Sequence, residues 1–215
     1  MHHDLGEIAI VPPHHTSQLL VLLHGRQNNW NGPRYLVSQP LLDALAAEGS
    51  KAPVVVLLNG GPHSYDHDRR DGKWGSMLLR DAIPDAVRRF HTHGKVAIGG
   101  ISMGGYGALH LAETEPSLFC AVGVRSPAIW RTGGETAPGA FDDAEDFDRN
   151  DVIAHAAQLT MPVWIDYGNH DPFVPGDEAF TPHVHAQVHV WPGGHTQAYW
   201  SAHIPQYLAF FARSC

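Results

Sequence analysis

A serine at the centre of a glycine-flanked pentapeptide is the group in this chain best placed to do chemistry. Ser102 lies in the segment 100–104, Gly-Ile-Ser-Met-Gly, between an apolar run predicted as a strand (95–99) and a small-residue segment predicted as a helix (103–113). The G-x-S-x-G pattern holds a serine on a sharp turn, and its glycines remove side chains that would collide with the neighbouring strand and helix. The pattern predicts that Ser102 is a nucleophile.

A nucleophilic serine needs a base, and the base needs an acid to orient it. Asp171 follows the predicted strand 162–167, and His195 follows the predicted last strand 185–190 and a Pro-Gly-Gly turn. Their separation of 24 positions (195 − 171) leaves room for one short connection and a strand. Asp166 is the competing acid, but it falls inside the apolar run rather than after it. The order along the chain therefore favours Asp171 as the acid and His195 as the base.

The negative charge that develops on the carbonyl oxygen during acyl transfer needs two backbone donors. The N–H of Met103, directly after the serine, is the first candidate. The strand predicted at 18–23 opens into the polar turn His-Gly-Arg-Gln-Asn, which makes the N–H of Arg26 the second.

Apolar strands alternate with helical patterns along the chain, which is typical of a parallel sheet covered on both faces. The predicted strands are 18–23, 53–59, 95–99, 120–125, 162–167 and 185–190. The predicted helices are 40–48, 76–91, 103–113, 152–159 and 197–212, of which Pro84 and Pro205 kink or divide the second and the last. The 215 residues fit a single α/β domain spanning 1–215.

Four segments together are similar to the esterase D and mycobacterial antigen 85 branch of the α/β-hydrolase superfamily. They are 22–25 (Leu-Leu-His-Gly), 99–109 around the serine, the Gly168-x-x-Asp171 loop, and 194–200 (Gly-His-Thr-Gln-Ala-Tyr-Trp). The resemblance covers about 18–211. It implies an α/β-hydrolase fold with a mostly parallel central sheet and a Ser-Asp/Glu-His acyl-transfer enzyme, and no cofactor is expected. Members of this branch hydrolyse esters or thioesters or transfer acyl groups to sugars.

The chain departs from this branch between the acid loop and the last strand, where members usually carry a helix. Pro172, Pro175 and Pro182 crowd a span predicted to be too short for a full helix plus a strand. Nothing in the chain is typical of a large lid domain. We therefore expect an open, shallow pocket over Ser102.

Loops at the carboxyl ends of parallel strands form the ligand site in open α/β sheets. Five aromatic side chains in these loops are candidates for the walls of a substrate pocket for an acyl or aryl group: Trp30, Tyr65, Trp74, Trp130 and Trp200. Each is at least as easily explained by packing.

No metal site is predicted. Asp66, Asp68 and Asp71 with Gly72 faintly resemble a calcium loop, but the closing Glu of that motif is missing. The histidines are better explained as ordinary surface residues, because no acidic or cysteine ligand accompanies them at a suitable spacing.

Charge and composition exclude several classes of partner. The formal net charge of −8 argues against binding nucleic acid or an anionic membrane, and no apolar run approaches transmembrane length. The first residues lack the features of a signal peptide, which predicts a cytoplasmic protein, although a secreted protein without its leader would look the same. Cys120 is interpreted as a buried small hydrophobe, and a disulfide with the terminal Cys215 is not expected. Nothing indicates the oligomeric state.

The sequence thus predicts a serine hydrolase acting on a small-molecule carboxylic ester or thioester. An acyltransferase that passes the acyl group to a sugar or another alcohol would use the same residues and differ only in its acceptor. A non-catalytic binding protein that keeps the fold is the alternative from another class, and failure of Ser102 to react with a fluorophosphonate would favour it.

Overall fold

Nine strands form the β-structure of the part of the chain that the structure describes. The computed structural model describes residues 7–26 and 32–215, except the side chain of Tyr35. The strands are β1 (Ile8–Ile10), β2 (Leu19–Leu23), β3 (Val54–Leu58), β4 (Asp68–Arg69), β5 (Gly72–Lys73), β6 (Val96–Ile101), β7 (Phe119–Arg125), β8 (Val163–Gly168) and β9 (Ala186–Trp191). Seven of them make the central sheet, in the order β1-β3-β2-β6-β7-β8-β9, and β4 and β5 pair separately. All six strands predicted from the sequence are therefore confirmed.

Within the same described residues, nine α-helical segments accompany the strands. They are α1 (Gln39–Glu48), α2 (Trp74–Met77), α3 (Ile83–Arg89), α4 (Met103–Thr114), α5 (Ala144–Asn150), α6 (Val152–His155), α7 (Val174–Phe180), α8 (Gln197–Ala202) and α9 (Ile204–Ser214). A π-helical turn, Leu78–Ala82, joins α2 to α3. Short 3₁₀ turns lie at Gly32–Leu36, Gly49–Lys51, Gly133–Glu135, Ala156–Gln158 and Thr181–His183.

Strand pairing in the central sheet is parallel except at one edge. β1 runs antiparallel to β3, and every other neighbouring pair is parallel. All residues of β2 and β3 are buried, which requires cover on both faces of the sheet. Because parallel strands end at the same edge, the loops that follow β2, β6, β7, β8 and β9 converge there.

The side chains of β2 divide the core into two layers. Leu19, Val21 and Leu23 pack in the layer that also contains α3, α4 and α6. Leu20 and Leu22 point the other way and pack in the layer that contains α1, α8 and α9. This alternation is the period-two pattern of a strand buried on both faces, and the mostly parallel sheet with helices on both faces confirms the predicted fold class.

The helix α7 corrects the expectation that the span after Asp171 is too short for one. This helix, Val174–Phe180, is followed by a 3₁₀ turn before β9 begins. The prolines do not prevent it, because Pro175 lies in its first turn, where a missing N–H costs nothing. Pro182 falls in the 3₁₀ turn and so outside the interior of the helix.

Pro205 divides a predicted helix. It lies in the first turn of α9, which is separated from α8 at His203, and the break follows from the missing N–H and the fixed φ of proline. Pro84 does not divide its helix, because the chain stays helical from α2 through the π-helical turn Leu78–Ala82 into α3. Pro84 lies in the first turn of α3, where the helix returns from π to α.

A disulfide between Cys120 and Cys215 corrects the expectation that these cysteines stay unpaired. The bond joins two residues separated by 95 positions, with a Cα–Cα distance of 5.5 Å. It forms because α9 packs against β7 and returns the last residue to the start of that strand. Among the described residues, no helix has the length and apolarity needed to cross a membrane.

We expect the disulfide to stabilise the fold by constraining the unfolded chain. The variant Cys120→Ala/Cys215→Ala should lose about 2–5 kcal/mol of unfolding free energy, measured by urea denaturation. Reduced wild type should unfold at the same urea concentration as this variant, and reductant should leave the variant unchanged. Identical midpoints for oxidised and reduced wild type would contradict the prediction.

Candidate active site

Ser102 lies on a strained turn between β6 and α4. Its backbone has φ 57° and ψ −116°, a conformation that L-residues rarely adopt. A Cβ atom at Gly100 would lie 2.2 Å from the Gly104 carbonyl oxygen, and one at Gly104 would lie 2.3 Å from the carbonyl oxygen of Leu23 on β2. The two glycines therefore allow the turn to pass between strand and helix, which confirms the steric explanation of the motif.

The structure brings together the three residues predicted as nucleophile, base and acid. His195 Nε2 is 2.8 Å from Ser102 Oγ, and His195 Nδ1 is 2.9 Å from Asp171 Oδ2. In the neutral imidazole this geometry lets the serine hydroxyl donate to Nε2 while Nδ1–H donates to the carboxylate. The three side chains come from the loops after β6, β8 and β9, which end at the same edge of the sheet. The arrangement can remove a proton from the serine as it attacks.

Asp171 is buried but remains ionised more readily than an ordinary aspartate. Burial raises its pKa, but hydrogen bonds from His195, from the backbone N–H of Phe173 and from Ser126 outweigh burial and hold the pKa below its usual value. The Phe173 N–H donates to Asp171 Oδ1 at 3.0 Å, while the Asp171 N–H donates to the Gly168 carbonyl oxygen at 2.9 Å. The carboxylate is thus fixed at both oxygens.

Asp166, the competing acid, serves a different partner. It lies within β8, where its Oδ2 accepts from Arg125 Nε at 3.1 Å and from Trp164 Nε1 at 2.8 Å. Arg125 and Asp166 are 1% and 0% exposed, and the Arg125 guanidinium packs over the Tyr207 ring at 5.0 Å. Asp166 is therefore the counterion of a buried arginine, and it does not contact His195 by any hydrogen bond of the described residues.

The two predicted backbone donors lie in different settings. Met103 is the first residue of α4, where the N–H groups have no partner within the helix. Arg26 follows β2, and the Gly25 carbonyl oxygen lies 2.7 Å from Nδ1 of the buried His24. Because C=O and N–H of one trans peptide point in opposite directions, the Arg26 N–H is directed away from the His24 ring. His24 Nε2 lies 3.0 Å from Asn59 Oδ1, which ties this turn to the end of β3.

The guanidinium group of Arg26 has its own partners. It donates to the Pro138 carbonyl oxygen at 2.8 Å and forms a hydrogen bond with the Tyr65 hydroxyl. Burial raises the Tyr65 pKa, and the charge of Arg26 acts against that rise. The side chain therefore links the loop after β2 to the loops at 64–66 and 138, independently of its backbone N–H.

The predicted wall residues fall into different environments. Tyr65 and Trp130 are both buried, and their ring centroids are 5.0 Å apart. Trp130 also packs on Phe173, with ring centroids 5.7 Å apart, and the Phe173 ring in turn lies 5.2 Å from the His195 ring. Trp74 packs on the backbone of the 61 and 72 positions and donates to Asp71. Trp200 lies edge-on to His195, and Trp30 lies outside the described residues.

The sequence placed Ser126 in a loop at the pocket, 126–130, but did not indicate its contact with the acid, and it did not indicate Phe173 or the contact between His24 and Asn59. Ser126 directly follows the buried strand β7, and a polar residue at that edge of the sheet was the signal that could have identified it. The position of Phe173 gave no such signal, since its ring reaches His195 only because α7 begins there.

The three aspartates of the faint calcium pattern do not converge. Asp66 is buried beside Gly107 of α4, and burial raises its pKa to about 8. Asp68 accepts from Ser76, and Asp71 accepts from Trp74. Among the described residues, no group of three or more His, Cys, Asp or Glu side chains is arranged to hold a metal ion.

The parallel sheet, the turn at Ser102 and the converging loops define an α/β-hydrolase. The Esterase family model, described as "Putative esterase", matches residues 7–211. This chain belongs to that family and is a carboxylesterase-type enzyme.

Solved structures share the fold at low sequence identity. A ferulic acid esterase aligns at 23% identity and a TM-score of 0.76, covering 93% of this chain and 86% of its own. An S-formylglutathione hydrolase from Agrobacterium tumefaciens aligns at 17% identity and a TM-score of 0.73, covering 97% and 89%. MPT51 (FbpC1) of Mycobacterium tuberculosis aligns at 17% identity and a TM-score of 0.70, covering 97% and 92%. These structures share the predicted fold, and with the family match they support the predicted α/β-hydrolase esterase branch.

The different surroundings of the two aspartates lead to opposite expectations for stability. Asp166→Asn leaves the buried Arg125 without a counterion and should lower the free energy of unfolding by about 3–5 kcal/mol. Asp171→Asn keeps a hydrogen-bonding group beside His195, whose side chain is partly exposed, and should cost much less. Urea denaturation of both variants at neutral pH measures the difference, and equal losses would contradict it.

Proposed function

We propose that this chain hydrolyses carboxylic esters or thioesters through a covalent acyl-enzyme on Ser102, with His195 as base and Asp171 as the orienting acid. The observation that carries the proposal is the pair of short distances, 2.8 Å and 2.9 Å, that link Ser102, His195 and Asp171 beside a strained turn. Membership of the Esterase family supports the same reaction class.

In the first half of the reaction Ser102 Oγ attacks the acyl carbon and its proton moves to His195 Nε2. The carbonyl π electrons move to oxygen, and this oxyanion accepts hydrogen bonds from the N–H groups of Met103 and Arg26. When the oxyanion collapses, the bond to the alcohol or thiol breaks, and the leaving group takes the proton from His195.

In the second half, water replaces the leaving group. His195 removes a proton from the water, whose oxygen attacks the acyl carbon, and the bond to Ser102 Oγ breaks as His195 returns the proton to the serine. Asp171 keeps Nδ1 protonated throughout and stabilises the imidazolium that forms twice in each cycle. The depressed pKa of Asp171 keeps it charged at neutral pH, as this role requires.

The surroundings of Ser102 favour a small ester that approaches from solvent. The His195 side chain is 23% exposed, and Ser102 is half-buried. Phe173 and Trp130 supply an aromatic surface next to His195, which suits an acyl group with a flat apolar part.

The compartment in which the enzyme works is also part of the proposal. A disulfide that joins the last residue to a central strand supports an oxidising compartment rather than the cytoplasm.

A panel of p-nitrophenyl esters, from acetyl to long acyl and including feruloyl-type esters, tests the reaction. Ser102→Ala should lower kcat by about 10⁴-fold or more on every ester that the wild type cleaves, because the nucleophile is lost. Ser117→Ala, at an exposed serine in the turn before β7, is the matched control and should leave kcat unchanged. Turnover retained in folded Ser102→Ala would refute the proposal. Product analysis with an added sugar acceptor would detect acyl transfer.

The roles of the backbone N–H and of the side chain of Arg26 can be separated by mutation. Arg26→Pro removes the backbone N–H, and we expect kcat to fall by about 10²–10³-fold, as for the loss of one oxyanion donor. Arg26→Ala keeps the N–H and removes only the guanidinium contacts, so its kcat should stay within about tenfold of wild type. Thermal unfolding of both variants checks that they fold. Equal loss of kcat in the two variants would assign the effect to the side chain instead.

A further inference from the structure

Ser126 occupies a buried turn directly behind the proposed acid. It follows β7, is 0% exposed, and has a positive φ of 45°. Its N–H donates to the Asp166 carbonyl oxygen at 2.6 Å, and two residues later the Ala128 N–H donates to the Ser102 carbonyl oxygen at 3.0 Å. The turn that carries Ser126 is thus bonded to both β8 and the nucleophile turn.

The Ser126 hydroxyl has two partners at the site. Its oxygen accepts from Trp200 Nε1–H at 3.0 Å, and its side chain also hydrogen-bonds to the carboxyl group of Asp171. A hydroxyl carries one proton and can also accept. Because the indole N–H can only donate, the bond with Trp200 leaves the hydroxyl proton free to be donated to the carboxylate.

Trp200 contacts the proposed base as well as Ser126. It lies on α8, which begins directly after His195 with a cap in which Thr196 Oγ1 accepts from the Tyr199 N–H. Its ring meets the His195 ring edge-on, with centroids 5.1 Å apart and an interplanar angle of 84°. The contacts close a ring of four side chains: Asp171 to His195, His195 to Trp200, Trp200 to Ser126, and Ser126 to Asp171.

We propose that Ser126 and Trp200 are positioning residues, which together hold the Asp171 carboxylate and the His195 imidazole in their reactive orientation. Neither touches the reacting atoms in the mechanism above, and the inference rests on the proposed function. The hydroxyl of Ser126 acts on the acid, and Trp200 acts on the base by its ring and on the acid through Ser126.

The environment of Trp200 favours this role over that of a substrate wall. Trp200 is only 9% exposed, and its one polar group is already bonded to a residue that is fully buried. Little of its surface is left for an acyl group, whereas its ring is in contact with His195.

Four variants test the proposal on a cleaved p-nitrophenyl ester. Ser126→Ala and Ser126→Gly both remove the hydroxyl, but only glycine relaxes the backbone at positive φ. Both should lower kcat by about 10- to 100-fold, the effect of one lost hydrogen bond to a charged group, with KM within about twofold. Trp200→Phe keeps an aromatic ring beside His195 and removes the indole N–H. It should lower kcat less than the Ser126 variants do. If Trp200 acts on the acid through Ser126, the N–H contribution is not additive, and Ser126→Ala/Trp200→Phe should match Ser126→Ala alone.

The pH profile separates positioning from a loss of structure. Without the Ser126 hydroxyl, the Asp171 carboxylate is a stronger acceptor for the imidazolium, which then holds its proton more tightly. The acid limb of kcat/KM should therefore move to higher pH in Ser126→Ala by about half a unit. The other titratable groups near Asp171, which are His195, Asp177 on α7 and Tyr199 on α8, are unchanged in this variant.

Three results would overturn the proposal. The first is a wild-type kcat in Ser126→Gly together with a lowered kcat in Ser126→Ala. The second is an unchanged pH profile of kcat/KM in folded Ser126→Ala. The third is a double variant whose loss of kcat equals the product of the losses in the two single variants. The kcat of Ser102→Ala, measured in parallel, distinguishes failure of the positioning role from failure of the proposed function. If Ser102→Ala is inactive while the Ser126 variants behave as wild type, the proposed function stands and the positioning role fails. If Ser102→Ala keeps its turnover, the proposed function fails first.

Discussion

The backbone conformation of Ser102 is the constraint on which the rest of the site depends. A residue at φ 57° is held there at a cost of about 1–3 kcal/mol, so its neighbours must over-determine it. They do so by close backbone approach and by hydrogen bonds. Gly104 lies against the Leu23 carbonyl of β2, the Ser102 N–H donates to the Arg125 carbonyl of β7, and the Ser102 carbonyl accepts from Ala128. The central strands thus hold the serine in a position from which its hydroxyl meets His195.

The parallel sheet supplies the remaining parts at the same edge. Its strands end together, so the residues after β2, β6, β7, β8 and β9 meet although they are far apart in the chain. Beneath them, the buried Arg125–Asp166 pair bonds β7 to β8. Ser126 directly follows Arg125, so the buried ion pair and the proposed positioning contacts come from adjacent residues. Because the strands end together, the short loops that follow them are enough to place the side chains of the site.

Periodicity and motif order predicted what depends on local sequence. The six predicted strands, the turn at Ser102, the break at Pro205, and the grouping of Ser102, Asp171 and His195 follow from apolar runs and from residues placed directly after them or at their ends. What could not be predicted depends on tertiary packing. α7 forms although prolines crowd its span, β1 is only three residues long, and Cys215 meets Cys120 only because α9 packs against β7. Ser126 and Trp200 are 74 positions apart, and no local pattern pairs them.

The central claim, that Ser102 is an activated nucleophile, is tested most directly by fluorophosphonate labelling followed by peptide mass mapping. We expect a single adduct, on Ser102, that forms in the native wild type, is lost in Ser102→Ala, and forms far more slowly in His195→Ala because the base is gone. Absence of an adduct in folded wild-type protein, or an adduct on another residue, would contradict the claim.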